Sequence, residues 1–164
     1  MATCGFFGKL PSRGDFLDRL LPHRLVSRLD DWLQDSLLLC EEAEADWKPA
    51  FRASPCWHFA TGLVGDPAGL AGVLIPSRDR VGRDFPLLLA HPLSAAPGLA
   101  FPTDWAEAYR RLAALAREAV DTPLQPDDLA ARLDGIPSPP APRGGAIPAM
   151  QPGGIGVLAY SDTS

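Results

Sequence analysis

The sequence predicts an α/β domain, with helices before and after a mainly antiparallel sheet. Three observations lead there. Apolar residues recur every three or four positions over 22–42 and again over 104–120, and between these stretches the period shortens to that of strands. The strand-like runs are joined by short connectors, "GLVGDPA" and "RDRVGRD". A parallel crossover needs about a dozen residues or more, so neighbouring strands should run antiparallel. The run "GLAGVLIPS" at 69–77 has few polar residues on either face, as in a strand covered on both sides.

Taken in order, "TCGFFGK" at 3–9 reads as a short strand and "PSRGD" at 11–15 as a loop. Over 22–42, Leu25, Leu29, Trp32, Leu33, Ser36, Leu37 and Cys40 form the inner face of a helix that Pro22 suits as a start. A second helix covers Glu44 to Arg52, with Trp47 and Phe51 four apart. Strands follow at 56–61 ("CWHFAT"), 70–76 and 85–91 ("FPLLLAH"), a meander of three. Asp104 caps the next helix, with Glu107 three residues on, and its apolar face is Trp105, Tyr109, Leu112, Ala116 and Val120. Pro126, Asp127 and Asp128 start a shorter helix reaching Leu133. From Gly135 to Gly154 proline and glycine dominate without periodicity, which reads as a loop or tail, and a last short strand is expected at Ile155–Tyr160. The chain therefore divides into a domain over 1–134 and a Pro/Gly-rich C-terminal segment over 135–164. Helices on both sides of the strands in sequence can cover both faces of one sheet.

Composition bounds the function. With 164 residues, 46% hydrophobic and 21% charged, the chain is one ordinary globular domain. A net charge of -5 argues against general nucleic-acid binding and against a polybasic membrane anchor. No segment has the ~18 uncharged apolar residues of a membrane helix. The N-terminus lacks a basic region followed by an apolar stretch, so no signal peptide is expected. The sparse cysteines, Cys4, Cys40 and Cys56, suit free thiols in a reducing cytoplasm.

The stretch "GFFGKLPSRGDFL" contains Arg13-Gly14-Asp15, the tripeptide read by cell-adhesion receptors. Those receptors work outside cells, and Pro11, Ser12, Gly14 and Asp15 are turn formers between apolar runs, so a turn is the reading here. A second loop, "IPSRDRVGRDFPLLL", has the same grammar: each leaves a strand through Pro-Ser, exposes arginine and returns through Asp-Phe. The two loops are expected to meet at one end of the sheet. Asp15 and Asp79 would then take donors from Arg13, Arg80 and Arg83, and Phe16 and Phe85 would pin the loop ends to the core. Solvated loop charges are the plain alternative.

Catalytic patterns are thin. Gly8-Lys9 is followed by Leu10 and lacks the upstream glycine of a phosphate loop. Ser12 and Ser77 are in no nucleophile elbow. Cys56 and His58 face one way on a strand, but no further ligand spacing accompanies them, so a core thiol and a packed histidine are the default and no metal or other cofactor is expected.

The two blocks "GFFGKLPSRGDFLDRLLP" and "AGVLIPSRDRVGRDFPLLLA" resemble the TagF (also ImpM) family of type VI secretion accessory proteins. The family's first block, Gly-aromatic-aromatic-Gly-Lys-Leu-Pro-x-Arg-Gly-Asp-Phe, matches Gly5 to Leu10, Pro11, Arg13, Gly14, Asp15 and Phe16. Its second block matches Pro76, Ser77, Asp79, Val81, Gly82, Arg83, Phe85, Pro86 and Leu87. The resemblance covers about residues 4–134. It implies a three-layer α/β/α sandwich and a cytoplasmic protein of a Gram-negative bacterium that regulates the secretion machine negatively after translation. It also implies a link to the machine's forkhead-associated scaffold protein and to a PP2C-type phosphatase, with no catalytic activity in the domain itself. Lys9, Arg13, Gly14, Asp15, Phe16, Ser77, Asp79, Arg80, Gly82, Arg83 and Phe85 are the signature-loop residues, either a partner surface or a structural device. After about residue 135 the sequence departs from the family pattern. Two readings therefore stand. One is a protein–protein regulatory module. The other is a small-ligand or phosphate-binding domain, a cryptic hydrolase, using the arginine-rich 77–84 loop as an anion cradle.

Overall fold

The structure, a computed structural model, describes residues 3–62, 68–93, 105–137 and the backbone of 156–161. Its elements in chain order are β1 (Gly5–Gly8), β2 (Leu17–Arg19), α1 (His23–Ala43), α2 (Trp47–Ala53), β3 (Trp57–Gly62), β4 (Gly69–Ile75), β5 (Leu87–Leu93), α3 (Ala106–Asp121), α4 (Pro126–Asp134) and β6 (Gly156–Ser161). The strands form one six-stranded sheet in the order β2-β1-β5-β4-β3-β6. Every ladder in it is antiparallel.

Side-chain alternation along β5 explains the layering. Leu87, Leu89 and Leu93 point to the face where Phe6, Ala71 and Val73 meet Tyr109, Leu112, Ala113 and Ala116 of α3 and Leu129 and Leu133 of α4. Leu88 and Ala90 point the other way and pack with Phe59, Leu70 and the α1 residues Leu25 and Leu29. A third cluster on that side joins Phe7 and Phe85 to Val26 and Leu33 of α1. Helices thus cover both faces, giving a three-layer α/β/α sandwich. Each fully buried Leu, Val or Phe contributes about 1.5–3 kcal/mol by leaving water. The close approach of β4 to β5 requires Gly72, because a Cβ there would lie 2.0 Å from the Leu89 carbonyl oxygen.

The helix starts have simple local causes. Pro22 stands at the N-cap of α1 and accepts the amides of Leu25 and Val26 at its carbonyl, without a side-chain cap. In α4, Pro126 opens the first turn and Asp127 and Asp128 oppose the positive end of the helix dipole.

Two expectations need amendment. The sequence reading has no strand at 17–19, where β2 pairs with β1 through Phe6–Arg19, Phe7–Asp18 and Gly8–Leu17. A three-residue edge strand holding Asp18 and Arg19 is too short and too polar to show a period. The inner face expected for α1 extends too far: no residue beyond Leu33 is buried, and Cys40 is exposed. The apolar spacing continues there, but burial fades along the helix: Leu37 packs only partly buried against the cluster of Phe7, Val26, Leu33 and Phe85. The cap expected at Asp104, and the loop expected over 135–154 from residue 138 on, lie outside the described residues. Among the described residues no helix is long and apolar enough to cross a membrane.

Candidate functional site: two loops tied by a buried aspartate

Both signature loops leave the sheet at one end, where Gly8 of β1 and Ile75 of β4 each pair with Leu87 of β5. Gly8 has φ 130°, and a Cβ there would stand 2.1 Å from the Pro86 carbonyl oxygen. Only glycine allows the first loop to depart this close to the second. Beyond it the loops bond to each other directly. Ser77 Oγ donates to the Lys9 carbonyl at 2.8 Å, the Arg80 amide donates to the Arg13 carbonyl at 2.8 Å, and an Arg83 guanidinium nitrogen donates to the Gly14 carbonyl at 2.6 Å.

Asp79 is the centre of this arrangement. Its side chain has no exposed surface, and each oxygen takes two donors. Oδ1 accepts the amides of Val81 and Arg83, both at 3.0 Å. Oδ2 accepts Lys9 Nζ at 3.0 Å and Arg83 Nε at 2.7 Å. Burial alone would raise the Asp79 pKa. The Arg83 amide, the Lys9 ammonium and the Arg83 guanidinium outweigh burial and hold the carboxyl well below its usual range. With about four lone-pair sites on a carboxylate all engaged, Asp79 has no capacity left to bind a metal or to act as a base. Gly82, with φ 88°, makes the tight turn that brings the Arg83 amide back to Asp79.

Aromatic rings surround the tie. Phe85 is buried and meets Phe7 edge-on at 6.0 Å. Phe16 stacks on Phe7, sits edge-to-face with Phe85 at 4.7 Å, and lies 4.9 Å from Lys9 Nζ. Its other side faces solvent, with 48% of its surface exposed, so Phe16 pins its loop end from the surface, resting on the buried Phe7 and Phe85.

The structure therefore brings together Lys9, Ser77, Asp79, Gly82, Arg83 and Phe85, together with the backbones of Arg13, Gly14 and Arg80. It leaves Asp15 out. Asp15 is exposed and has no bonded partner among the described residues, which corrects the expectation that it shares the arginines. It lies beyond Gly14 on the solvent side, where water replaces a donor. The Arg13 and Arg80 side chains are likewise exposed and enter no ion pair among the described residues. Asp84 takes its partner from elsewhere: Arg52 of α2 reaches it in a two-pronged pair at 3.0 and 2.8 Å. No spacing in the sequence could have shown this pair. The same holds for Ser12 Oγ, which donates to the Leu124 carbonyl at 2.6 Å.

The residues weighed for catalysis or metal binding are dispersed into packing. His58 stacks on Tyr109 with ring centres 5.0 Å apart, and the Tyr109 hydroxyl donates to the Phe59 carbonyl. Burial pushes the Cys4 thiol up to about 12, so it is no nucleophile. Among the described residues no cluster of three metal-ligating side chains occurs.

Fold and site define a three-layer α/β/α domain on an antiparallel sheet, with two loops locked to each other by one buried carboxylate. Residues 5–136 match the family of the TagF N-terminal domain, type VI secretion system-associated, and the chain belongs to that family. It is similar to the crystal structure of PA0076 from Pseudomonas aeruginosa PAO1, with 30% sequence identity and a TM-score of 0.72. That similarity spans 99% of this chain and 72% of the other. No curated protein matches the sequence.

Proposed function

We propose that this type VI secretion-associated protein is a cytoplasmic, post-translational negative regulator of the secretion machine that works by protein–protein contact. The forkhead-associated scaffold pathway is the expected route, in association with a PP2C-type phosphatase, and the domain itself performs no catalysis. The observation that carries the reading is the family match over residues 5–136. The chemistry of the loops agrees with it, because Asp79, the buried carboxylate that ties them, has its lone pairs occupied by the fold.

The test is secretion in the native bacterium. Removing the gene should raise secretion of the machine's substrates, and overproducing the protein should lower it, with transcript levels of the secretion genes unchanged. Unchanged secretion in both strains would overturn regulation. The rival reading, an anion-binding or hydrolytic domain on the 77–84 loop, has its own assay. It requires saturable thermal stabilisation of the purified protein by phosphate, nucleotide or phosphopeptide.

A further inference from the structure

We infer that the outer surface of the two tied loops is the docking face, and that it takes an acidic segment of a protein partner carrying at least one apolar side chain. The inference rests on the regulatory reading above and adds the surface and the chemistry of its occupant. The bonds around Asp79 fix the backbones of both loops, and the groups making those bonds are Lys9, Ser77, Asp79 and Arg83. Three other side chains stand on this frame without a side-chain bond among the described residues, Arg13, Arg80 and Val81, and Phe16, resting on Phe7 and Phe85, is half exposed beside them. Val81 is 68% exposed and Phe16 48% exposed, the former beside Arg80 in sequence. A Cβ on Gly14 would have as its nearest neighbour an Arg80 guanidinium nitrogen, at 3.9 Å. The Arg83 guanidinium bonds the carbonyl of the same Gly14. Two guanidinium groups thus converge on one glycine at the tip.

Charge supports the choice of occupant. The chain as a whole carries -5. In the two loops, by contrast, Lys9, Arg13, Arg78, Arg80 and Arg83 outnumber Asp15, Asp79 and Asp84. A local cationic surface on an acidic protein steers an acidic partner. The apolar members decide between a peptide and a free anion. Phosphate would use the guanidiniums and leave Phe16 and Val81 in water, whereas a segment pairing Asp or Glu with a Leu- or Phe-like residue covers both. A frame already rigid before binding lowers the ordering cost of association, and exposed Arg and aromatic groups are the residue types that dominate interface energies.

The test is photo-crosslinking of the full chain in the native bacterium, using Val81→p-benzoylphenylalanine. The Val81 amide that bonds Asp79 is retained. The same crosslinker at exposed Leu39, remote in sequence on α1, is the control position. The adduct at position 81 is expected to map to an acidic partner segment containing an apolar residue. Arg13→Glu with Arg80→Glu should reduce that adduct about tenfold or more, with Tm unchanged because both side chains are exposed and enter no ion pair among the described residues. Reversing the mapped acidic residues to lysine should restore the adduct to the double variant. The inference is overturned if position 81 gives no more adduct than position 39. It is equally overturned if the mapped segment is not acidic, or if Arg13→Glu/Arg80→Glu leaves the yield unchanged. Gene removal separates the two levels. If loss of the gene changes secretion and Arg13→Glu/Arg80→Glu does not, the docking face falls and the regulatory reading stands.

Discussion

At position 79 an aspartate is cut off from water, and its ionised form survives because four donors replace hydration. The two ion pairs there differ in weight. Arg83 is 63% exposed, so solvent screens its pair, while Lys9 is 7% exposed and its pair is the buried one. Asp79→Ala leaves the Lys9 ammonium buried without a counter-charge, which should lower unfolding stability by about 3–5 kcal/mol. Urea denaturation checks this, and a loss under about 1 kcal/mol would mean that Lys9 re-solvates freely. Because the folded Asp79 pKa lies below the unfolded one, its stabilisation is present above about pH 3.9 and lost as pH falls below that. His91 acts at a different pH. It is buried beside Trp105, its two ring nitrogens have no hydrogen-bond partner among the described residues, and burial lowers its pKa. The neutral form is favoured in the fold, so stability holds above the unfolded pKa of about 6.5 and declines as pH drops beneath it. His91→Phe should flatten the stability–pH curve between about pH 6.5 and 5 and leave the acid limb due to Asp79 in place. An unchanged slope in that interval would show that His91 does not supply it.

At the scale of elements, helix α1 separates what periodicity reveals from what it cannot. Leu25, Leu29 and Leu33 follow the helical spacing and are buried against the sheet. Leu37 continues the same spacing but is only partly buried, and Cys40 is exposed. A sequence period records which residues share a face, but whether a partner layer reaches that far along the helix is a tertiary fact. Leu29→Ala should therefore cost about 2–5 kcal/mol, from lost burial and the cavity left behind. Leu39→Ala, at a side chain 64% exposed, should stay within about 0.5 kcal/mol. Comparable losses for both would place Leu39 in an apolar contact. The strands follow the same division. β3, β4 and β5 were legible because their runs are long, apolar and joined by short connectors. The edge strand β2 was not, since its pairing depends on β1 lying beside it and its own residues carry no pattern.

At the scale of the whole molecule, the shared grammar of the two loops made their meeting legible, but not the chemistry of the contact. From the sequence alone, Asp15 and Asp79 had equal claims on the loop arginines. The fold makes them unequal, because Asp79 turns inward through Gly82 while Asp15 stays in solvent past Gly14. Lys9, which no spacing linked to Asp79, is the buried counter-ion. Contacts between residues 68 or 69 positions apart, such as Ser77 to Lys9 and Arg83 to Gly14, close long chain segments whose ordering costs entropy. They are therefore expected to form or open together. Asp79→Asn tests this while keeping the shape of the side chain. The Asn carbonyl can still accept the Val81 and Arg83 amides, but its NH2 faces Lys9 and Arg83, donor against donor. With that half of the tie lost, the amides of Arg80 and Gly82 in the second loop and Arg13 in the first should all exchange with solvent faster. The amides of Phe59 and Ala60, in the β3–β4–β6 part of the sheet, should keep their protection, because local opening need not reach the core. Faster exchange confined to residues 77–84 would show that the first loop is held by its own turn, through the Arg13 amide on the Leu10 carbonyl, and that the two loops do not open as one unit.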